Sequence, residues 1–167
     1  MKRTRYPLAL TILMLTLPLA ALAGEGAWFD LANCDMCKHM TAEEGLMEHM
    51  EWENHLTADG YLSVTVVAPG YEEKFERAMA NMQGMGAKMA AGEELYMCGF
   101  CQSFGGLYMA GATMENFETV GGHISVVSSR DPAVIEKIHA HAKRTIDEYA
   151  KMMGDGHGHG DHGHSHH

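Results

Sequence analysis

The sequence predicts an α+β fold in which one unit is written twice: strand, C-x-x-C, helix, hairpin and helix, giving an antiparallel sheet with helices packed on it. Three observations point there. The four cysteines form two C-x-x-C pairs, Cys34/Cys37 and Cys98/Cys101, and each pair opens a similar segment. Those segments align at a nearly constant offset: Asn54, Thr57, Gly60, Ser63 and Val64 recur 62 positions later as Asn116, Thr119, Gly122, Ser125 and Val126, and Leu62 becomes Ile124. After one slipped residue, Pro69, Glu73, Lys74 and Phe75 precede Pro132, Glu136, Lys137 and Ile138 by 63. In each unit, finally, the apolar pattern moves from period two to the helical period after a proline. Together these read as an internal duplication, units 24–91 and 92–153, forming one pseudo-symmetric domain.

In chain order, Met1–Ala23 reads as an export signal. Lys2, Arg3 and Arg5 precede an apolar run from Leu8 to Leu22, and Ala21-Leu22-Ala23 offers the small residues that cleavage needs. Pro18 interrupts the run, which is short for a bilayer span. Ala27–Leu31 and Glu94–Met97 are strand candidates leading into the cysteine pairs. A helix is expected after each pair, with Met36, Met40, Met47 and Met50 on one face in the first and Phe104, Leu107, Tyr108 and Gly111 in the second. Hairpins follow. Met50–Leu56 and Tyr61–Ala68 flank Ala58-Asp59-Gly60, and 112–119 and 123–128 flank Val120-Gly121-Gly122. On their second strands Leu62, Val64, Val66, Ile124 and Val126 mark one face for burial and leave the other mixed. Each hairpin feeds a long helix whose apolar stripe is expected at Tyr71, Phe75, Ala78, Met82, Met85 and Met89, and at Ile135, Ile138, Ala142, Ile146, Tyr149 and Met153. From Gly154 the chain becomes a Gly/Asp/His tail with nothing apolar to pack.

Composition narrows the function. Removing the signal leaves nine basic against 22 acidic side chains, a formal charge of -13. That argues against nucleic acid or anionic lipid as a partner and fits a soluble surface that attracts cations. The mature chain has no further stretch long and apolar enough for stable membrane insertion. It also contains no nucleophile elbow, phosphate loop, H-E-x-x-H or dinucleotide fingerprint, so the sequence leans away from an enzyme.

The chemistry is concentrated in sulfur and imidazole. Two C-x-x-C loops have the ligand spacing of a tetrahedral thiolate site for zinc or a soft ion such as Cu(I). Two equivalent loops meeting near a two-fold axis would bring Cys34, Cys37, Cys98 and Cys101 into one cluster. In an oxidising compartment the same cysteines can instead be structural disulfides. A C-x-x-C at a helix start can also serve thiol-disulfide exchange, although neither pair encloses Pro or His. Thirteen methionines remain in the mature chain, and Met36 and Met40 stand nearest the first pair as thioether ligands for copper.

The stretch Cys34-Asp35-Met36-Cys37-Lys38-His39-Met40 resembles the C-x-x-C-x-M site of NosL-like copper-binding proteins, and Asp59-Gly60 follows in a strand-rich segment. It departs from that pattern by the interposed His39, by lacking a glycine before the methionine, and by the second pair's Cys98-Gly99-Phe100-Cys101-Gln102-Ser103-Phe104. The resemblance implies copper.

Among the internal histidines, His39 is spaced to share an ion or a hydrogen bond with Glu43. His139 borders the expected stripe of the last helix and His141 points away from it. In the tail His157, His159, His162, His164, His166 and His167, spaced by Gly, Asp and Ser, can wrap an ion with neutral imidazoles. The expectation is therefore an exported, periplasmic or extracellular protein that binds copper or zinc for storage, delivery or resistance. Its partners would be metal ions and another exported metal-handling protein. A thiol-disulfide oxidoreductase and a disulfide-stapled interaction module are the alternatives.

Overall fold

The computed structural model describes residues 26–154. The expected export segment and the histidines of the tail lie outside them. Within them the order is α1 (Lys38–Thr41), a 3-10 turn (Met47–His49), β1 (Met50–Leu56), β2 (Gly60–Val67), α2 (Glu72–Ala90), α3 (Gly99–Met109), β3 (Thr113–Thr119), β4 (Gly122–Ser128) and α4 (Pro132–Gly154). The strands form one antiparallel sheet in the order β1-β2-β4-β3, and the helices pack on it, so the α+β class holds. Among the described residues no helix is long and apolar enough to cross a membrane.

The two hairpins fall where the turn residues put them, and the sheet is completed by β2 pairing with β4. That pairing is centred on Ser63 opposite Ser125, flanked by Leu62 opposite Val126 and Val64 opposite Ile124. Adding 62 to one partner and subtracting it from the other returns the same ladder, so the register is two-fold symmetric about the serines. The glycines at its two ends obey the same relation. A Cβ on Gly60 would lie 1.8 Å from the Val127 carbonyl oxygen, and one on Gly122 would lie 2.0 Å from that of Thr65. Both positions therefore demand hydrogen, because a side chain there would force the central strands apart.

Elsewhere the halves differ. Neither Ala27–Leu31 nor Glu94–Met97 is a strand; each is irregular chain running to the cysteines. The first cysteine pair is followed by a single helical turn, then bends and the 3-10 turn, so Met36, Met40, Met47 and Met50 do not share a helix face. Met50 is already the first residue of β1. The second pair does open a helix, α3, which buries Cys101 and Leu107 and leaves Tyr108 exposed.

The long helices start as their first turns dictate. In α4 Pro132 occupies the first position, and the Asp131 carboxylate accepts a hydrogen bond from the Ala133 N–H at 2.9 Å, capping the end. Glu72 and Glu73 place negative charge in the first turn of α2, where the helix dipole favours it. Pro69 lies before the helix instead of in it. α2 runs through Gly84 and Gly86 to Ala90 and ends just before Gly92, whose φ is 87°.

Burial differs from the apolar pattern in two respects. On β2 the covered residues are Tyr61, Thr65 and Val67, while Leu62 and Val64 are half-buried and Val66 is 50% exposed. The helices thus lie on the more polar face of the strand, opposite to expectation. They can do so because that face also carries bulk: Tyr61 and Val127 pack with Leu107, Ala112, Val134, Ile138 and Ala142. On α4 the buried stripe is Val134, Ile138, His141, Ala142 and Thr145; Ile146 and Met153 are exposed. The stripe is rotated by about one residue, toward the side on which His141 meets Trp28, Tyr61, Phe100 and Phe104. A second cluster, Leu46, Val67, Phe75 and Ala78, forms under α2, with Met40, Met50, Tyr71 and Met79 against it.

Candidate metal centre

The two cysteine loops are held by hydrogen bonds that cross between the halves of the chain. In the first loop Cys34 N–H donates to the Asp30 carbonyl at 3.0 Å, and the Asp30 carboxylate accepts from the Asn33 backbone and side-chain amides. The turn continues through Lys38 N–H to the Cys34 carbonyl and leads into α1, with Cys37 at its N-cap. In the second loop Cys98 is the N-cap of α3, and Cys101 lies in the helix's first turn.

Residue 96 joins them. Asp35 N–H donates to the Tyr96 carbonyl, and Tyr96 N–H donates back to the Asp35 carboxylate, both at 2.8 Å. The Tyr96 hydroxyl adds a bond to the Asp30 carboxylate at 3.1 Å. On the other side Gly99 and Phe100 N–H groups donate to the carbonyls of Ala27 and Trp28. A Cβ at Gly99 would approach Trp28 to 3.2 Å, so glycine there lets the irregular N-terminal segment lie against the start of α3. The first turn of that helix therefore has backbone partners for N–H groups that would otherwise be orphaned.

This bracing brings all four sulfurs together. Cys34, Cys37, Cys98 and Cys101 can each place one ligand atom within 4.8 Å of the others. Cys37 Sγ stands 3.4 Å from Cys101 Sγ and 3.7 Å from Cys98 Sγ. All four are free thiols and all are buried. Four thiolates at about 2.3 Å around one tetrahedral ion are separated by about 3.8 Å, close to the Cys37–Cys98 spacing and inside the 4.8 Å that bounds the group. Leu31, Met36, Met97 and Phe100 pack around the cluster and keep it dry.

The protons on the sulfurs are unequally held. Hydrogen bonds from Cys101 and then Cys37 pull Cys98 well below the usual thiol range, against the cost of burial. Cys101 is pushed far up by its bonds to Cys37 and Cys98 and by burial. For Cys37 the bond to Cys101 acts downward, but Cys98, burial and the charge of its neighbours outweigh it and the thiol is raised. The directions favour the anion at Cys98 and the protonated thiol at Cys37 and Cys101. A dipositive ion held by the four sulfurs would favour the thiolate at each of them and displace the protons of Cys37 and Cys101.

The other residues singled out in the sequence are distributed differently. Met36 packs against the sulfurs, whereas Met40 belongs to the cluster under α2. His39 is not one of the clustered ligand groups; its Nε2 is buried with no hydrogen-bond partner. Glu43, its expected companion, is held by Arg77 at 2.7 Å. His139 Nε2 contacts the Thr57 carbonyl at 2.9 Å. His157, His159, His162, His164, His166 and His167 lie outside the described residues.

Several contributors were not singled out from sequence. Met97 was missed, although it directly precedes Cys98, and so were Asp35 and Tyr96, whose pairing is long-range and has no local signature. His141 is a core residue: its Nδ1 contacts Ser103 Oγ at 2.9 Å, and Trp28, Tyr61, Phe100 and Phe104 ring it at centroid distances of 5.2 to 6.0 Å. Its spacing of three and four from Ile138 and Thr145 was the available signal. Comparison of the chain with protein-family models, with curated proteins and with solved structures gives no match.

Proposed function

We propose that this is an exported transition-metal-binding protein whose four cysteines hold one ion, with the histidine tail as a faster and less selective capture site. The observation that carries the reading is the buried group of four free thiols within 4.8 Å of one another, supplied by two loops that bond to each other. Tetrahedral sulfur coordination suits Zn(II) best, and the sulfur spacings agree with it. Cu(I) is the competing ion, supported by the presence of two methionines, Met36 and Met97, among the side chains packed against the cluster. A closed site of this kind favours retention, as in storage or resistance, over rapid exchange. The tail's imidazoles would take up Cu(II), Ni(II) and Zn(II), with Cu(II) preferred on intrinsic affinity.

A second reading, a thiol-disulfide oxidoreductase, is favoured by Cys98 at the N-cap of the eleven-residue α3 with its thiol pulled down. In that reaction Cys98 attacks a substrate disulfide and Cys101 resolves the mixed disulfide. The protein then gains one S–S bond, and two electrons pass to the substrate's sulfurs, one of which takes the proton lost by Cys101 and the other a proton from water.

Elemental analysis and thiol counting on protein truncated after Met153 and purified from its native compartment separate the readings. The metal reading expects one equivalent of ion and four protected thiols without the tail. Two disulfides and no ion would overturn it, and catalytic acceleration of disulfide exchange would establish the alternative.

A further inference from the structure

The sheet has a second face, on which Val66 and Phe117 are exposed while Leu62, Val64, Ile124 and Val126 are half-buried. Alternation along the strands places Leu62, Val64 and Val66 of β2, Ile124 and Val126 of β4, and Phe117 of β3 on the side away from Tyr61, Thr65 and Val127, where the helices pack. The register sets them in contiguous rows: Val64 is opposite Ile124, which is opposite Phe117, and Leu62 is opposite Val126. Val66 and Phe117 are each 50% exposed. An antiparallel sheet with one face in water ordinarily turns polar residues outward, whereas here the aliphatic rows lie on the face away from the helices, and a contiguous apolar surface patch marks an interaction site.

The margins of the patch say what covers it. On this face the edge strand β1 presents Glu51 and Glu53, directly opposite Val66 and Val64, and His55, opposite Leu62 and 3.0 Å from the Glu53 carboxylate; the edge strand β3 presents Glu115, directly opposite Val126. None of the four strands contains a lysine or arginine. A second copy of the chain stacked face to face with aligned strands would set acidic margin over acidic margin, whether β1 met β1 or β3. An anionic lipid surface is opposed by the same carboxylates.

We propose that the open face of the β1-β2-β4-β3 sheet is a docking surface for a protein partner that presents an apolar ridge between lysine or arginine side chains. The apolar rows supply the buried area. The three glutamates select the partner's charge and set its approach, as rim charges do at other interfaces. The surface is separate from the thiol cluster, which belongs to the loops and helix starts.

Two synthetic amphipathic peptides with identical leucine positions, one with lysine and one with glutamate at every polar position, probe this surface. Binding to the full signal-free chain is read by fluorescence anisotropy. The lysine peptide is expected to bind, more weakly as salt rises, and the glutamate peptide at least about tenfold more weakly. Val66→Asn and Val64→Asn, which leave the charge unchanged, are expected to weaken the lysine peptide about tenfold or more. The triple change Glu51→Gln, Glu53→Gln, Glu115→Gln is expected to remove its preference over the glutamate peptide. Val66 is already half exposed, so Val66→Asn should leave the circular dichroism unchanged. Equal binding of both peptides, no binding of either, or binding insensitive to both valine changes would overturn the proposal. So would a concentration-dependent dimer in analytical ultracentrifugation that Val66→Asn abolishes, since that would make a second copy the occupant.

Discussion

Replacing His141 with phenylalanine should flatten the acid side of the stability profile. The imidazole is 3% exposed and ringed by Trp28, Tyr61, Phe100 and Phe104, and burial lowers its pKa from 6.5 to about 4. In the unfolded chain the ring takes a proton as pH falls below about 6.5, whereas in the folded protein it stays neutral until about 4. The unfolded state therefore binds more protons throughout that interval, and the neutral ring's contribution, complete above 6.5, is lost as pH falls through it. At about 1.4 kcal/mol per unit the loss over the interval is on the order of 3 kcal/mol, a large part of the stability of a domain this size. Phenylalanine fills the same aromatic bowl and removes the buried, unpartnered Nε2; the Ser103 hydroxyl it releases is only half-buried and can turn to water. Urea unfolding of the two proteins from pH 4 to 7.5, in the same metal state, gives the difference free energy, from which thiol and metal contributions cancel. An NMR titration of the His141 ring protons checks the premise directly. Parallel stability curves for the two proteins, or a ring that titrates near 6.5, would refute the reasoning.

Other substitutions test the site and the sheet. Cys101→Ser should lower metal affinity by more than about a hundredfold, exceeding the loss expected from a supporting residue, while the tail's binding of Cu(II) persists; competition with a chromophoric chelator measures both. Asp35→Ala removes the acceptor of the Tyr96 N–H and loosens one loop from the other, so metal should leave about tenfold faster or more in a chelator chase. Gly60→Ala and Gly122→Ala should each destabilise by about 3 kcal/mol or more, since the new methyl meets a strand carbonyl that cannot move aside as a side chain would. Their urea midpoints should fall by similar amounts, because the two contacts are related by the same offset. Loading the reduced protein with Zn(II) should release protons held on Cys37 and Cys101, seen as a buffer-dependent heat in calorimetry.

Local pattern alone determined much of this molecule. Glycine-bearing turns between alternating stretches located both hairpins, and proline followed by helical periodicity located α2 and α4, because turn chemistry and side-chain period act over a few residues. The recurrence of Gly60, Ser63 and Val64 as Gly122, Ser125 and Val126 put matching residues on two strands, and the pairing of Ser63 with Ser125 uses that match. The near-repeat of the cysteine pairs also pointed to one cluster of four sulfurs.

What only the tertiary structure decided depends on contacts distant in sequence. The segments before the cysteines are not strands. They are fixed instead by bonds such as Asp35 with Tyr96 and Phe100 with Trp28, whose partners lie more than sixty positions apart. Alternation shows that β2 has two faces but not which one the helices cover. Both carry bulk, and the choice fell to Tyr61, Thr65 and Val67 because those residues meet the helices, leaving Leu62, Val64 and Val66 outward. His141 looked like a surface residue because polarity is a property of the side chain, whereas burial is a property of its neighbours, and Trp28 and Phe100 arrive from other parts of the chain.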